Sequence, residues 1–125
     1  MKKILYHITK PENVKHILID GIKPPKGVTG VSLTDCPFVW LPILHDEGKI
    51  RKRAAIIEVR LPIDKYREML TLEYGIEGKF LDFDYDPYTS GPKGEIVYYG
   101  TIPNKWITAV YYLEVPKIET YNVRR

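Results

Sequence analysis

Two residues far apart in the chain carry side chains that do chemistry and stand where a strand meets irregular chain. His7 lies in the stretch LYHIT, between an apolar strand-like run and a helix start, and the strand period places Leu5 and His7 on one face. Glu95 stands in KGEIVYYG, just before the apolar residues of another strand. A neutral imidazole donates and accepts hydrogen bonds, and a carboxylate stabilises positive charge that develops on a substrate. Each residue also has a plain structural explanation, a histidine bonded to backbone and a glutamate on the surface, so neither alone identifies a site.

A second set of polar groups lies in the stretch GVSLTD. Ser32 and Thr34 alternate along a predicted strand and therefore project from one face. Such a pair is typical of a solvated face or of the end of a sheet, and Asp35 then begins a turn. Cys36 has no activating partner nearby in the sequence, and we expect it to be a small buried residue.

The sequence predicts no bound metal. His16 and His45 have no metal-ligand spacing to His7. Three aspartates alternate in the stretch LDFDYDPY, namely Asp82, Asp84 and Asp86. A calcium-binding EF-hand would need glycine and glutamate where this chain has Pro87 and Lys93, so we predict an exposed acidic edge there.

A basic run is formed by Lys49, Arg51, Lys52 and Arg53. Runs of this kind usually form a solvated face, but they also contact the phosphates of a nucleotide or a nucleic acid. Arg51 and Arg53 are therefore weak candidates for substrate binding.

The elements that would position these residues follow from the apolar pattern. We predict a first strand over residues 3–9 and a helix over 11–20, with Thr9 and Glu12 at the spacing of a capping box and Gly21 as the helix stop. Further strands are predicted over 31–34, 54–60, 94–99 and 108–115, and helical segments over 38–45 and 64–70. A strand, a helix and then mostly strands is the order of a mixed α+β domain.

The composition is that of an ordinary globular domain. The chain has 125 residues, of which 44% are hydrophobic and 28% charged, with a formal net charge of +3. We expect a single domain over 1–125, located in the cytoplasm, because the sequence contains no membrane-spanning run and no signal-peptide pattern. Its single cysteine excludes an internal disulfide framework. The mild positive charge is compatible with an anionic ligand.

Taken in order, the stretches LYHIT, ILIDGIKP, GVSLTD and GEIVYYGTIPNKWI resemble the ADP-ribosyltransferase superfamily. The first and last are similar to the family of DNA-modifying toxins that ADP-ribosylate thymidine bases. The resemblance implies a split β-sandwich of two small sheets, with a few short helices around an NAD cleft. It also implies NAD as co-substrate and no metal.

Carried over by position, the resemblance makes Glu95 and His7 the catalytic residues, with His7 also holding the ribose and nicotinamide side of NAD. The residues that would complete the pocket wall and brace the glutamate are Ile8, Thr9, Ser32 and Thr34. Breaking the bond between nicotinamide and ribose develops positive charge on the sugar, which a carboxylate stabilises and a neutral imidazole does not oppose. Arginine-specific members carry a second glutamate where this chain has Lys93, so arginine is disfavoured as the acceptor.

The leading hypothesis is therefore an NAD-dependent mono-ADP-ribosyltransferase that modifies a nucleic-acid base or a protein, acting as a toxin, phage factor or defence element. A related enzyme class, the RNA 2′-phosphotransferases, would need several arginines in the pocket. The third hypothesis is a non-catalytic module that binds nucleic acid or a protein through the basic run. No membrane partner is expected, and the sequence does not determine the oligomeric state.

Overall fold

The computed structural model describes residues 2–74 and 95–115. These residues form a mixed α+β fold, as predicted, with five strands and three short α-helices. In chain order the elements are β1 (Lys2–Thr9), α1 (Val14–Asp20), β2 (Gly30–Thr34), α2 (Pro37–Asp46), β3 (Arg53–Pro62), α3 (Ile63–Tyr74), β4 (Glu95–Tyr99) and β5 (Ile107–Glu114). Two 3-10 turns, Pro11–Asn13 and Asn104–Trp106, precede α1 and β5.

The described strands form one antiparallel sheet in the order β4-β2-β1-β3-β5. β1 pairs with β3 at eight positions, from Lys2–Pro62 to Thr9–Ala55. It pairs with β2 at only one, Tyr6–Thr34. The family resemblance implied two small sheets, but the described strands form one open sheet, in which this single residue pair joins the β2–β4 ladder to β1.

The core lies on the face of the sheet that carries Leu5, Val59 and Leu61, all fully buried. The apolar stripe of α3 packs into this core, and its buried members are Tyr66, Met69 and Leu70. The spacing of three and four residues places these side chains on one side of a helix. The predicted helical turn over 64–70 is therefore part of a longer helix, which begins one residue earlier and ends four residues later, and the side chains that pack against the sheet stabilise it.

The first helix begins without the predicted cap and ends at the predicted glycine. Thr9 does not cap it, and no side-chain cap was found at its start. Instead the Thr9 hydroxyl accepts a hydrogen bond from Asn13 Nδ2 at 2.9 Å. The predicted capping box is thus wrong, because the 3-10 turn at Pro11–Asn13 comes between Thr9 and the α-helix. At the other end, Gly21 stops α1 as predicted.

A carboxylate on β3 that no pattern predicted is buried beside the edge strand β5. Glu58 accepts hydrogen bonds from Thr108 Oγ1 at 2.8 Å and from the Tyr111 hydroxyl at 3.2 Å. These bonds, the Thr108 one foremost, outweigh burial and lower the pKa of Glu58. The β3–β5 register shifts between Glu58 and Val59, and the bond to Thr108 fixes that bulge.

Among the residues that the structure describes, there is no helix with both the length and the apolar character needed to cross a membrane.

Candidate functional site

A cavity of about 320 Å³ lies at the opening between β1 and β2. Three consecutive residues of each strand line it, 6–8 of β1 and 32–34 of β2. Because consecutive side chains of a strand point to opposite faces, a cavity lined in this way lies in the gap between the strands rather than on one face. The remaining lining residues come from the start of β4, from α2 and from the turn after α2: Glu95, Trp40, Leu44, Glu47 and Lys49. We call it the β1–β2 cavity.

His7 spans this opening with its side chain. Its Nδ1 lies 2.9 Å from the backbone carbonyl oxygen of Ser32. Since a carbonyl only accepts, Nδ1 donates and carries a proton, which leaves Nε2 as an acceptor in the neutral ring. Burial lowers the pKa of His7, and the bond to Ser32 opposes that shift in part. At neutral pH the cavity therefore holds an uncharged imidazole with one free lone pair.

Glu95, on β4, is hydrogen-bonded to the same residue as His7, namely Ser32. Ser32 Oγ donates a hydrogen bond to Glu95 Oε2 at 3.0 Å. The strand register places Glu95 opposite Thr34, two residues from Ser32, so the two side chains lie on the same face of the β2–β4 ladder. Ser32 thus accepts from His7 with its carbonyl and donates to Glu95 with its hydroxyl, and it links the two residues that the sequence singled out.

The other predicted wall residues are divided between the cavity and its surroundings. Ile8 and Thr34 line the cavity, and the Thr34 hydroxyl also accepts a hydrogen bond from the Cys36 backbone N–H at 3.0 Å. That bond holds the turn that leads into α2. Thr9 does not line the cavity, and its hydroxyl accepts a hydrogen bond from Asn13 Nδ2. The roles assigned to these residues stay predictions.

The structure does not bring Arg51 or Arg53 into the β1–β2 cavity. Both line two other cavities, of about 550 and 690 Å³, on either side of the basic run. Lys10 joins them in the first of these. Arg53 also lies over the ring of Tyr112, with its guanidinium carbon 5.4 Å from the ring centre. A direct contact of these arginines with a ligand in the β1–β2 cavity is therefore not supported.

Sequence reasoning missed the wall that α2 contributes. The pattern suggested a helix here, but it did not indicate that Trp40 and Leu44 face the cavity. No sequence pattern points to Glu47, and the sequence places Lys49 in the basic run. In the structure Lys49 Nζ and Glu47 Oε2 form an ion pair at 2.9 Å on the rim of the cavity. The spacing of four residues between Trp40 and Leu44 was the signal that could have found this wall.

Two further sequence expectations concern cysteine and metal. Cys36 was predicted to be buried, but it is only partly buried, and its thiol donates to Asp35 Oδ1 at 3.2 Å. Burial is nevertheless the main cause that raises its pKa. Within residues 2–74 and 95–115, no three histidine, cysteine or acidic side chains are grouped as metal ligands would be. The three alternating aspartates and Lys93 lie outside the described residues.

Protonation of His7 is expected to destabilise the fold at mildly acidic pH. Its pKa is lowered in the folded protein, so below about 6.5 the unfolded chain binds a proton that the folded chain does not. The free energy of unfolding should fall as the pH drops below that value and level off once the folded imidazole is also protonated. Urea unfolding between pH 7.5 and 5 measures this change.

The His7→Asn variant isolates the contribution of this imidazole, because asparagine keeps a donor for Ser32 and does not titrate. Its stability should depend less on pH than that of the wild type. His16→Asn, at an exposed histidine, is the matched control and should keep the pH dependence of the wild type. Equal pH dependence in His7→Asn and wild type would contradict the assignment.

Neither the protein-family models nor the curated proteins that were compared with the chain gave a match. The geometry of the β1–β2 cavity is therefore the basis for a functional proposal.

Proposed function

We propose that the chain is an NAD-dependent mono-ADP-ribosyltransferase with the β1–β2 cavity as its active site and an ADP-ribosyltransferase-like fold that splits between β1 and β2. The observation that carries the proposal is the linkage through Ser32. One residue holds a neutral imidazole and a carboxylate in the same cavity, at hydrogen-bond distances of 2.9 and 3.0 Å. In the proposed cleavage of NAD, the carboxylate stabilises the cationic ribose and the imidazole binds a ribose hydroxyl.

The proposed reaction exchanges one bond at the ribose for another. The bond between C1′ of the ribose and the nicotinamide nitrogen breaks, and nicotinamide leaves with the electron pair. The sugar becomes cationic in the transition state, and the Glu95 carboxylate stabilises that charge. The acceptor then forms a bond to C1′ with its own electron pair and releases its proton to solvent.

His7 has a binding role in this scheme. Its Nε2 accepts a hydrogen bond from a ribose hydroxyl, and the neutral ring adds no positive charge beside the developing cation. A protonated histidine at the same place would oppose the reaction. Burial lowers the pKa of His7 and so keeps the imidazole neutral, which favours the proposed chemistry.

The acceptor is proposed to be a nucleic-acid base or a protein. The test is to incubate the full chain with NAD and a mixed panel of DNA, RNA and protein acceptors. We expect nicotinamide release and an acceptor whose mass increases by one ADP-ribose unit. A folded protein that neither binds nor cleaves NAD would refute the proposal.

A second candidate function is a binding module without catalysis. The observation that favours it is the basic run, whose Arg51, Lys52 and Arg53 line two cavities outside the β1–β2 cavity. Binding to nucleic acid would then weaken steeply with salt and would be the same in Glu95 variants. The RNA 2′-phosphotransferase alternative would need several arginines in the pocket. None of the described residues that line the β1–β2 cavity is an arginine, so this cavity does not favour that alternative.

A further inference from the structure

The β1–β2 cavity can offer a positive charge to the diphosphate of a dinucleotide only if the ion pair between Lys49 and Glu47 opens. The cavity carries two carboxylates, Glu47 and Glu95, and His7 is neutral at pH 7. Lys49 is the single lysine or arginine among the described residues that line it. A dinucleotide brings a diphosphate with two negative charges, which needs a cation or a set of donors.

In the structure, Glu47 already forms an ion pair with Lys49. The Lys49 ammonium lies 2.9 Å from the Glu47 carboxylate, and the two side chains are 67% and 48% exposed. An ion pair this exposed contributes little stability, so it exchanges partners at low cost. The ammonium is also mobile on a four-carbon stem and can turn toward a new anion without a change in the backbone.

We infer that Lys49 is the diphosphate-binding residue of this site and that Glu47 competes with the ligand for it. The inference rests on the proposed function, because it takes the ligand to be NAD or another nucleoside diphosphate. Glu95 and His7 hold the ribose at the strand side of the cavity, and Lys49 holds the diphosphate at the rim beside α2. Glu47 acts as an internal substitute for the phosphate when the site is empty.

The test measures the affinity of the full chain for two ligands by titration calorimetry. ADP-ribose keeps the diphosphate and has no nicotinamide bond to break, and nicotinamide riboside has no diphosphate. Lys49→Met is expected to weaken ADP-ribose binding about tenfold at low salt, with a smaller loss at high salt because salt screens an exposed charge. Its affinity for nicotinamide riboside should change less than about twofold.

Glu47→Gln is expected to change the affinity for ADP-ribose in the direction opposite to Lys49→Met. Removing the competitor should strengthen ADP-ribose binding about threefold, within the range of an exposed ion pair. This gain should vanish when Lys49→Met is present as well, because the two residues act through one pair. Lys65→Met and Glu68→Gln are the matched controls, since this pair lies on α3 at 3.6 Å and outside the cavity. Neither control should change the affinity for either ligand.

The outcomes separate this inference from the proposed function. If the wild type binds ADP-ribose and Lys49→Met binds it equally well, the inference fails and the proposed function stands. If Glu47→Gln weakens binding, Glu47 contacts the ligand itself and its role as a competitor is wrong. If the folded wild type binds neither ADP-ribose nor NAD, the proposed function fails and the inference fails with it.

Discussion

Replacing Glu95 with glutamine is expected to slow the release of nicotinamide from NAD by about 100- to 1000-fold while the fold is retained. The amide has nearly the same shape as the carboxylate, and its oxygen can still accept the hydrogen bond that Ser32 Oγ donates at 3.0 Å. The negative charge is lost, however, and with it the stabilisation of the cationic ribose. Because the charge acts mainly in the transition state, kcat should fall much more than the affinity for NAD.

The measurement is the steady-state rate of nicotinamide release, with NAD affinity and urea unfolding determined on the same samples. Glu114→Gln removes an exposed carboxylate at the end of β5, outside the cavity, and is the matched control. It should leave kcat unchanged within about twofold. A Glu95→Gln protein that cleaves NAD at the rate of the wild type would show that another group carries the reaction.

Replacing Gly21 with alanine is expected to lower the free energy of unfolding by roughly 3 kcal/mol. Gly21 ends α1 with φ +82° and ψ −178°, a conformation that residues with a side chain adopt only under strain. A Cβ at this position would also collide with the backbone oxygen of Ile102 and lie 3.3 Å from the backbone nitrogen of Asn104. These are main-chain atoms and cannot turn aside as a flexible side chain would.

The collision matters because it falls on a junction between distant parts of the chain. Ile22 and Ile102 exchange two backbone hydrogen bonds of 2.9 Å. Asn104 Nδ2 then donates to the carbonyls of Leu18 and Ile19, at 3.2 and 3.0 Å, and satisfies the last turn of α1. Moving Ile102 to make room for a methyl group would disturb these contacts together.

Gly27→Ala is the control for backbone strain alone. Gly27 also has φ +82°, but a Cβ there would meet no atom within 4 Å. Its cost should be only about 1 kcal/mol. Urea unfolding of the two variants and the wild type measures the difference. Equal losses at the two positions would mean that the close approach of Ile102 contributes nothing.

Local pattern determined most of the elements of this protein. The apolar pattern of the first strand correctly indicated β1, although it did not show that the face with Leu5 is the core face, and the glycine after an apolar helix stripe correctly marked the end of α1 at Gly21. The apolar run over residues 54–60 correctly indicated a strand, and the structure shows that this strand is buried on both faces. These features depend on side chains within a few residues of each other, and sequence periodicity reports such neighbours directly.

Tertiary structure alone decided how these elements form a cavity. The pairing of β1 with β2 at one position and with β3 at eight opens the sheet beside His7, and this pairing joins segments far apart in the chain, which short-range periodicity does not report. The hypothesis that His7 and Glu95 belong to one site came from the family resemblance rather than from spacing. Likewise, Arg51 and Lys49 are two residues apart in the sequence, yet only Lys49 lines the β1–β2 cavity. The physical reason is that neighbours along the chain are fixed by covalent geometry, whereas neighbours across the cavity are fixed by strand pairing and by the packing of α2.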